Sequence, residues 1–255
     1  MRVAGGCGAY DLTRAGEFVW TDLSSPDPAR AIPFYESVLG WSFARGGAPA
    51  YAMRGDAAIA GIYETPAKFQ AMGMPSFWMS YIAVADVAET VAQASALGGI
   101  IELVEDDYAL IRDPLGAGFT VHRSPSDIET PLSDAPGGRS GHSLLCSDLA
   151  AVTPFYAALF GWRFVDGQSG AKDAWLGETR VATAMALPDE VRGKAQYWAV
   201  LFASDNLAGA ETRALTAGGA SDGGFDLPEG RSLALRDPNG AAFFVVERIW
   251  RRDGS

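Results

Sequence analysis

Residue types that build disulfide frameworks and metal centres are scarce in this chain of 255 residues, which has two cysteines and two histidines. The cysteines, Cys7 and Cys146, lie far apart in the sequence. We therefore expect free thiols rather than a disulfide framework or a zinc knuckle. Free thiols are typical of a reducing compartment, so the predicted location is the cytoplasm.

Positively charged residues are also scarce. The chain has 20 Lys and Arg and 31 Asp and Glu, which gives a formal net charge of −11. A nucleic-acid partner requires a basic face, so we expect none. No apolar run reaches the roughly 18 residues needed to cross a bilayer, which predicts no membrane partner. Residues 1–15 lack the apolar core of a secretion signal and are interpreted as a short N-terminal leader. No phosphate loop, G-x-S-x-G or H-E-x-x-H motif occurs, so those reaction classes have no support.

What the chain does contain is an internal repeat. Residues 27–41, DPARAIPFYESVLGW, return as residues 148–162, DLAAVTPFYAALFGW, with Asp, Pro-Phe-Tyr and Gly-Trp in the same places. Three further motifs recur in the same order, namely Trp78 and Trp198, the Gly-Gly pairs 98–99 and 218–219, and the Asp-Pro-x-Gly turns 113–116 and 237–240. Such ordered recurrence indicates a tandem duplication.

The boundaries of the two copies follow from composition. Residues 125–139 are rich in Pro, Ser, Asp and Gly, as linkers are, and are predicted to join the copies. Copy one is then 16–124, copy two is 140–249, and residues 250–255 form a C-terminal tail.

Each copy is predicted to contain two β-α-β-β-β units. In the first unit, residues 18–23 favour a strand, Ser25 or Asp27 caps a helix that opens at Pro28, and Gly40 ends it. Pro33, like Pro154 in copy two, falls inside the helix, so we expect a short, kinked first turn. Four such units predict an α+β fold.

This arrangement resembles the vicinal oxygen chelate superfamily, which includes glyoxalase I, extradiol dioxygenases and bleomycin-binding resistance proteins. The pattern D-x6-FY-x4-GW in both copies, the Gly-Gly pairs and the D-P-x-G turns carry the resemblance. It implies tandem glyoxalase-like domains, with two curled mixed or antiparallel sheets around cavities. In metal-using members, His, Glu or Gln on facing strands hold one divalent ion.

The positions that match the family's metal ligands carry other residue types here. In copy one they are Trp20, Tyr81, Thr120 and the pair 60–61, and in copy two they are Gly141, Leu201, Phe244 and the pair 183–184. A divalent ion needs three or four converging oxygen or nitrogen donors. We therefore predict that the usual metal site is missing, with no metal ligands and no cofactor.

Two histidines and several aromatic rings are the remaining candidates for ligand contact. A shift of one residue in the strand register would direct the His142 side chain into the cavity. His122 lies two residues beyond Thr120 and therefore on the same face of its strand. Aromatic rings can stack on a flat ligand, although they can equally fill the core. The predicted ligand-binding residues are Trp20, Tyr81, Thr120, His122, His142 and Phe244.

Three functions remain open from the sequence. The first is binding of a small aromatic or apolar metabolite or antibiotic in a barrel cavity, as in the bleomycin-binding relatives. The alternative is a metal-independent or unorthodox-metal lyase, isomerase, cyclase or hydroxylase-type enzyme acting on a natural product. The third is an interaction protein whose cavities are filled by side chains. Single-copy relatives bring two domains together by dimerising, and the duplication places both domains in one chain. We therefore expect a monomer or a weak homodimer.

Overall fold

The computed structural model describes residues 15–43, 49–124, 126, 129–192 and 195–248. The predicted leader, except for Ala15, and the predicted tail lie outside the described residues, as does part of the predicted linker. Among the described residues, no helix is both long and apolar enough to traverse a lipid bilayer.

Copy one forms a single eight-stranded sheet, sheet 1, whose strand order is β2-β3-β4-β1-β5-β8-β7-β6. Strand β1 pairs in parallel with β4 and antiparallel with β5, so the sheet is mixed. The strands are β1 Phe18–Ser25, β2 Ser42–Phe43, β3 Ala50–Arg54, β4 Ala57–Glu64, β5 Phe77–Val84, β6 Ile100–Val104, β7 Tyr108–Arg112 and β8 Gly118–Arg123. The helices are α1 Pro28–Leu39, α2 Ala67–Ala71 and α3 Val87–Ala96.

Copy two repeats this plan in sheet 2, with the order β10-β11-β12-β9-β13-β16-β15-β14. Its strands are β9 Arg139–Cys146, β10 Arg163–Asp166, β11 Lys172–Leu176, β12 Thr179–Ala186, β13 Tyr197–Ala203, β14 Ala220–Leu227, β15 Gly230–Arg236 and β16 Ala242–Arg248. The helices are α4 Leu149–Phe160, α5 Asp189–Arg192 and α6 Leu207–Thr216. The predicted α+β fold with two mixed sheets is confirmed.

The first helix of each copy begins and ends as its sequence predicts. The Asp27 carboxylate accepts a hydrogen bond from the Arg30 backbone N–H, and Gly40 ends α1 in the left-handed conformation at φ 69°. Helix α1 continues through Pro33, and α4 continues through Pro154. The first helix of each copy is therefore continuous across its proline.

The helices lie in a layer that both copies share. Helix α1 packs with α6 of the other copy, and α3 packs with α4. One apolar cluster joins Phe34 and Val38 of copy one to Phe202 and Phe243 of copy two. A second cluster contains Phe119 and Val121 of copy one together with Phe155 and Tyr156 of copy two. Neither copy therefore has a helix-side core of its own.

The repeated motifs meet across this layer. Trp78 Nε1 donates to Tyr35 Oη at 3.0 Å, and Tyr35 Oη donates to Asp237 Oδ2 of the other copy at 3.3 Å. The equivalent network contains Trp198, Tyr156 and Asp113, with distances of 2.8 and 3.0 Å. Both networks are buried, so each tyrosine hydroxyl supplies the hydrogen bonds that the indole N–H and the carboxylate cannot obtain from water. The repeated residues thus hold the two copies together.

Candidate functional site

The face of sheet 1 that points away from the helices carries most of the candidate residues. In β8, Phe119 and Val121 lie in the core beside the helices, so Thr120 and His122 point the other way. The same alternation brings aromatic side chains from neighbouring strands to this face. We call it the site face and define it by Trp20, Asp22, Tyr51, Tyr63, Tyr81, Tyr108, Thr120 and His122.

A carboxylate lies near the centre of the site face. Asp22 Oδ1 accepts a hydrogen bond from Trp20 Nε1 at 2.7 Å, and Oδ2 accepts one from Tyr81 Oη at 2.7 Å. The Gly61 backbone N–H is a third donor. A side chain at Gly61 would collide with Asp22 Oδ1, so the missing Cβ makes room for the carboxylate.

The surroundings of Asp22 change its acidity. Burial raises the pKa of Asp22, while the hydrogen bonds from Tyr81, Trp20 and Gly61 and the charge of His122 act in the opposite direction. Burial, together with the charge of Asp22, raises the pKa of Tyr81, so this phenol keeps its proton and remains a donor. Burial also raises the pKa of Tyr63.

Thr120 and His122 form the border of the site on β8. Thr120 is buried and lies beside Tyr81 in the strand register. His122 Nδ1 is 2.9 Å from the Arg123 carbonyl oxygen, which can only accept, so Nδ1 carries the proton. The rings of Tyr81 and His122 lie 6.3 Å apart. Trp20, Tyr81, Thr120 and His122 are therefore brought together, as four of the six predicted residues.

The donor set of the site face does not fit the divalent ion of the metal-using relatives. At the matching positions the indole N–H of Trp20 can only donate, and Tyr81 is a protonated phenol. Asp22 and His122 supply two ionisable groups where such an ion needs three or four ligands. Within the described ranges, no group of three or more His, Cys, Asp or Glu side chains is placed to hold a metal.

The equivalent face of sheet 2 has a different character. The strand registers match Asp22 and Gly61 with Ser143 and Thr183, and Tyr81 with Leu201. An apolar cluster occupies this face and contains Leu145, Ala171, Met185, Ala199, Leu201, Leu227, Phe244 and Val246. Polar groups are present as well, since Thr183 Oγ1 lies 2.8 Å from both Ser143 Oγ and Glu229 Oε1. Phe244 is thus a packed member of the cluster in copy two, and its contact with a ligand stays a prediction.

His142 lies at the junction between the copies, away from both helix-free faces. Its ring stacks on Phe18 with a centroid separation of 4.0 Å. Arg139 Nη1 donates to His142 Nε2 at 3.1 Å, so Nδ1 carries the proton and donates to Ser80 Oγ at 2.9 Å. Burial and the neighbouring Arg139 charge hold the pKa of His142 well below its usual value. A ligand contact by this neutral, buried ring stays a prediction.

Sequence reasoning missed Asp22, Tyr51, Tyr63 and Tyr108. Asp22 lies two residues beyond Trp20 and hence on the same strand face. The available signal was a lone carboxylate within an otherwise uncharged strand, FVWTDLSS, whose counterpart in copy two is Ser143. The three tyrosines give no such signal, because only the strand pairing places them on this face.

Two surface hollows lie elsewhere, where the copies meet. One of about 350 Å³ lies beside Leu39 and Gly137, and one of about 220 Å³ lies beside Gly16 and Phe160. Neither includes a residue of the site face. Because four of the six predicted residues meet around a partly buried carboxylate on the site face, we place the candidate site there rather than in either hollow.

Comparison with known proteins agrees with this architecture. The glyoxalase-like domain family matches residues 19–122 and 142–246, and the chain belongs to this family with two copies of the domain. Its fold neighbours include the Mn(II)-bound glyoxalase from Novosphingobium aromaticivorans, with a TM-score of 0.61 and 13% identity over 94% of this chain and 86% of that one. An extradiol ring-cleaving dioxygenase from B. fuscum matches with a TM-score of 0.60 and 14% identity, over 97% and 78% of the two chains. The predicted resemblance to the superfamily is confirmed.

Two relatives are similar over nearly their whole length. The anthracycline biosynthesis protein DnrV of Streptomyces peucetius is 31% identical over 258 residues, which cover 91% of this chain and 93% of the relative. A putative glyoxylase of Mycobacterium bovis is 29% identical over 252 residues, which cover 92% and 95%.

Proposed function

We propose that this protein binds one small, planar aromatic natural product on the site face of copy one. The contrast between the two copies carries the proposal. In copy two the matching positions of Asp22 and Gly61 hold Ser143 and Thr183, and the rest of the face is mostly apolar. Copy one has an imidazole and several aromatic rings around its carboxylate.

Each face contains a carboxylate, since Glu229 of copy two is 8% exposed and accepts a hydrogen bond from Thr183. The surroundings differ, because Asp22 is only partly buried and lies among tyrosine rings and an imidazole, whereas the face of copy two is otherwise packed with apolar side chains. Burying a carboxylate costs free energy, and the raised pKa of Asp22 reflects that cost, which supports a functional role for this group.

The chemistry of the site face supports an aromatic ligand. Tryptophan and tyrosine rings stack on flat molecules and contribute about 0.5–1.5 kcal/mol per good pair beyond burial. The similarity to DnrV, whose name assigns it to anthracycline biosynthesis, supports the same ligand class, because anthracyclines are planar, hydroxylated aromatic polycycles.

A metal-independent enzyme acting on the same class of compound is the alternative. The raised pKa of Asp22 favours it, since a carboxylate with a pKa closer to neutrality is a better general base or acid. Turnover of a bound polyketide-type compound, lost in Asp22→Asn, would support this alternative over binding alone.

We also propose that the protein acts in the cytoplasm as a monomer or a weak homodimer. The two copies already cover each other's helices, so a single chain needs no partner to complete its core. Sedimentation at micromolar concentration is expected to give the mass of one chain, and a stable higher mass would contradict this.

Exchanging site-face residues for their copy-two counterparts tests the proposed function. The probe is 2,6-dihydroxyanthraquinone, titrated calorimetrically into the purified chain. We expect one site per chain, and affinity that falls at least about tenfold in Tyr81→Leu and in His122→Val, because each loses an aromatic contact.

The matched control is Leu201→Met, which alters the copy-two position that matches Tyr81 and keeps the side-chain volume. It is expected to leave the affinity for the anthraquinone unchanged. Two sites per chain, or a loss of affinity in Leu201→Met alone, would contradict the placement of the site.

A further inference from the structure

The hydrogen bonds of Asp22 leave room for one more donor. An ionised carboxylate has about four acceptor positions on its two oxygens. The Trp20 indole, the Tyr81 phenol and the Gly61 backbone N–H occupy three of them. Because Asp22 is only partly buried, a donor that arrives from outside can reach the remaining position.

The three protein donors hold the carboxylate in place before a ligand arrives. Trp20 is 1% exposed, so its indole is fixed by packing, and its Nε1–H is 2.7 Å from Oδ1. Tyr81 fixes the second oxygen, and Gly61 leaves the space that the carboxylate needs. An acceptor held in this way loses little conformational entropy on binding.

The neighbours of Asp22 favour a donor that is carried on an aromatic ring. Tyr63, Tyr81 and Tyr108 lie close enough to influence one another and offer ring surface to a flat ligand. A hydroxyl group on an aromatic ring brings a hydrogen-bond donor and a flat surface together.

We infer that Asp22 accepts a hydrogen bond from a ring hydroxyl of the ligand, so that the site selects hydroxyaromatic compounds over their methyl ethers. This inference rests on the proposed function and names the group that the site recognises. Trp20 and Gly61 act on the ligand through Asp22 and are positioning residues.

Two probes that differ only in the donor test the inference, 2,6-dihydroxyanthraquinone and 2,6-dimethoxyanthraquinone. A hydrogen bond to a charged group changes affinity by about tenfold or more. We therefore expect the wild-type protein to bind the dihydroxy compound at least about tenfold more tightly than the dimethoxy compound.

Asp22→Asn is the matching variant, because asparagine has the same shape. Its Oδ1 accepts from Trp20 Nε1, and its amide N–H donates to Tyr81 Oη, so the contact with Tyr81 is kept with its direction reversed. The second amide hydrogen now presents a donor to the ligand. We expect the preference for the dihydroxy compound to disappear, with thermal unfolding at or above the wild-type temperature.

The outcomes separate the two proposals. Equal affinity of the wild-type protein for both anthraquinones, or an unchanged preference in Asp22→Asn, would overturn the inference and leave the proposed function standing. Binding of neither compound would contradict the proposed function as well. Ser143→Ala, at the equivalent position of copy two, is the control and is expected to bind both probes as the wild type does.

Discussion

Replacing Arg139 by methionine is expected to lower the free energy of unfolding by about 3–5 kcal/mol, since it removes several buried hydrogen bonds from a charged group and each such bond contributes about 1.5–3 kcal/mol. The Arg139 side chain is 1% exposed. Its guanidinium donates to the carbonyls of Phe18 at 3.2 Å and Val19 at 2.9 Å, and also to that of Thr130. These contacts join β1 of copy one to β9 of copy two.

Urea unfolding followed by circular dichroism measures this loss. The control is Arg123→Met, because Arg123 is half exposed and its ion pair with Asp107 is on the surface. Such a pair contributes about 0–1 kcal/mol, so the control is expected to unfold close to the wild-type midpoint. Similar midpoints for the two variants would show that the junction does not depend on Arg139.

Trp20→Ala is expected to have the second large effect, a loss of about 3–5 kcal/mol together with loss of ligand binding. Trp20 is 1% exposed, so its removal leaves a cavity. It also removes the Nε1–H that orients Asp22. Thermal unfolding and titration with 2,6-dihydroxyanthraquinone measure the two consequences separately.

Trp20→Phe separates the hydrogen bond from the packing, because it keeps a ring and removes the N–H. The hydrogen bond from Trp20 lowers the pKa of Asp22, so the variant raises this pKa further in the folded state. A folded-state pKa above the unfolded value favours folding at low pH, and this stabilisation disappears as the pH rises through the folded pKa. The stability deficit of Trp20→Phe should therefore be larger at pH 7 than at pH 4. A deficit that is equal at both pH values would show that the indole does not act on Asp22.

The shared framework could be predicted from the sequence because its residues occur twice. Tyr35 and Tyr156, with the aspartates of the two D-P-x-G turns, were visible as repeats and proved to link the copies. Their role across the junction was not predictable, because each tyrosine hydrogen-bonds to an aspartate of the other copy. Pairing between distant segments is set by tertiary packing and leaves no local pattern in the sequence.

The candidate site was only partly predictable, for the opposite reason. Trp20, Tyr81, Thr120 and His122 were found by matching positions to the metal ligands of relatives. Asp22 escaped that comparison, since it lies between the matched positions and has no acidic counterpart in copy two. A search for motifs that occur in both copies therefore does not find the residues, such as Asp22, that distinguish one face from the other.

The two copies thus combine one fold with two kinds of interior face. In copy two, Leu201 and Phe244 belong to a packed apolar cluster. In copy one, Tyr81 and Thr120 occupy the matching register positions beside Asp22. A partly buried carboxylate surrounded by aromatic rings and an imidazole is what distinguishes the face of copy one.

Fluorine NMR of protein labelled with 3-fluorotyrosine tests the location of the site most directly, because the eight tyrosines divide between the site face and the rest of the chain. On addition of 2,6-dihydroxyanthraquinone, the resonances of Tyr51, Tyr63, Tyr81 and Tyr108 are expected to shift. Those of Tyr35, Tyr156 and Tyr197 are expected to stay in place, since they lie in the shared helix layer or beside the apolar cluster of copy two. Shifts at Tyr197 with the four site-face resonances unmoved would contradict the account.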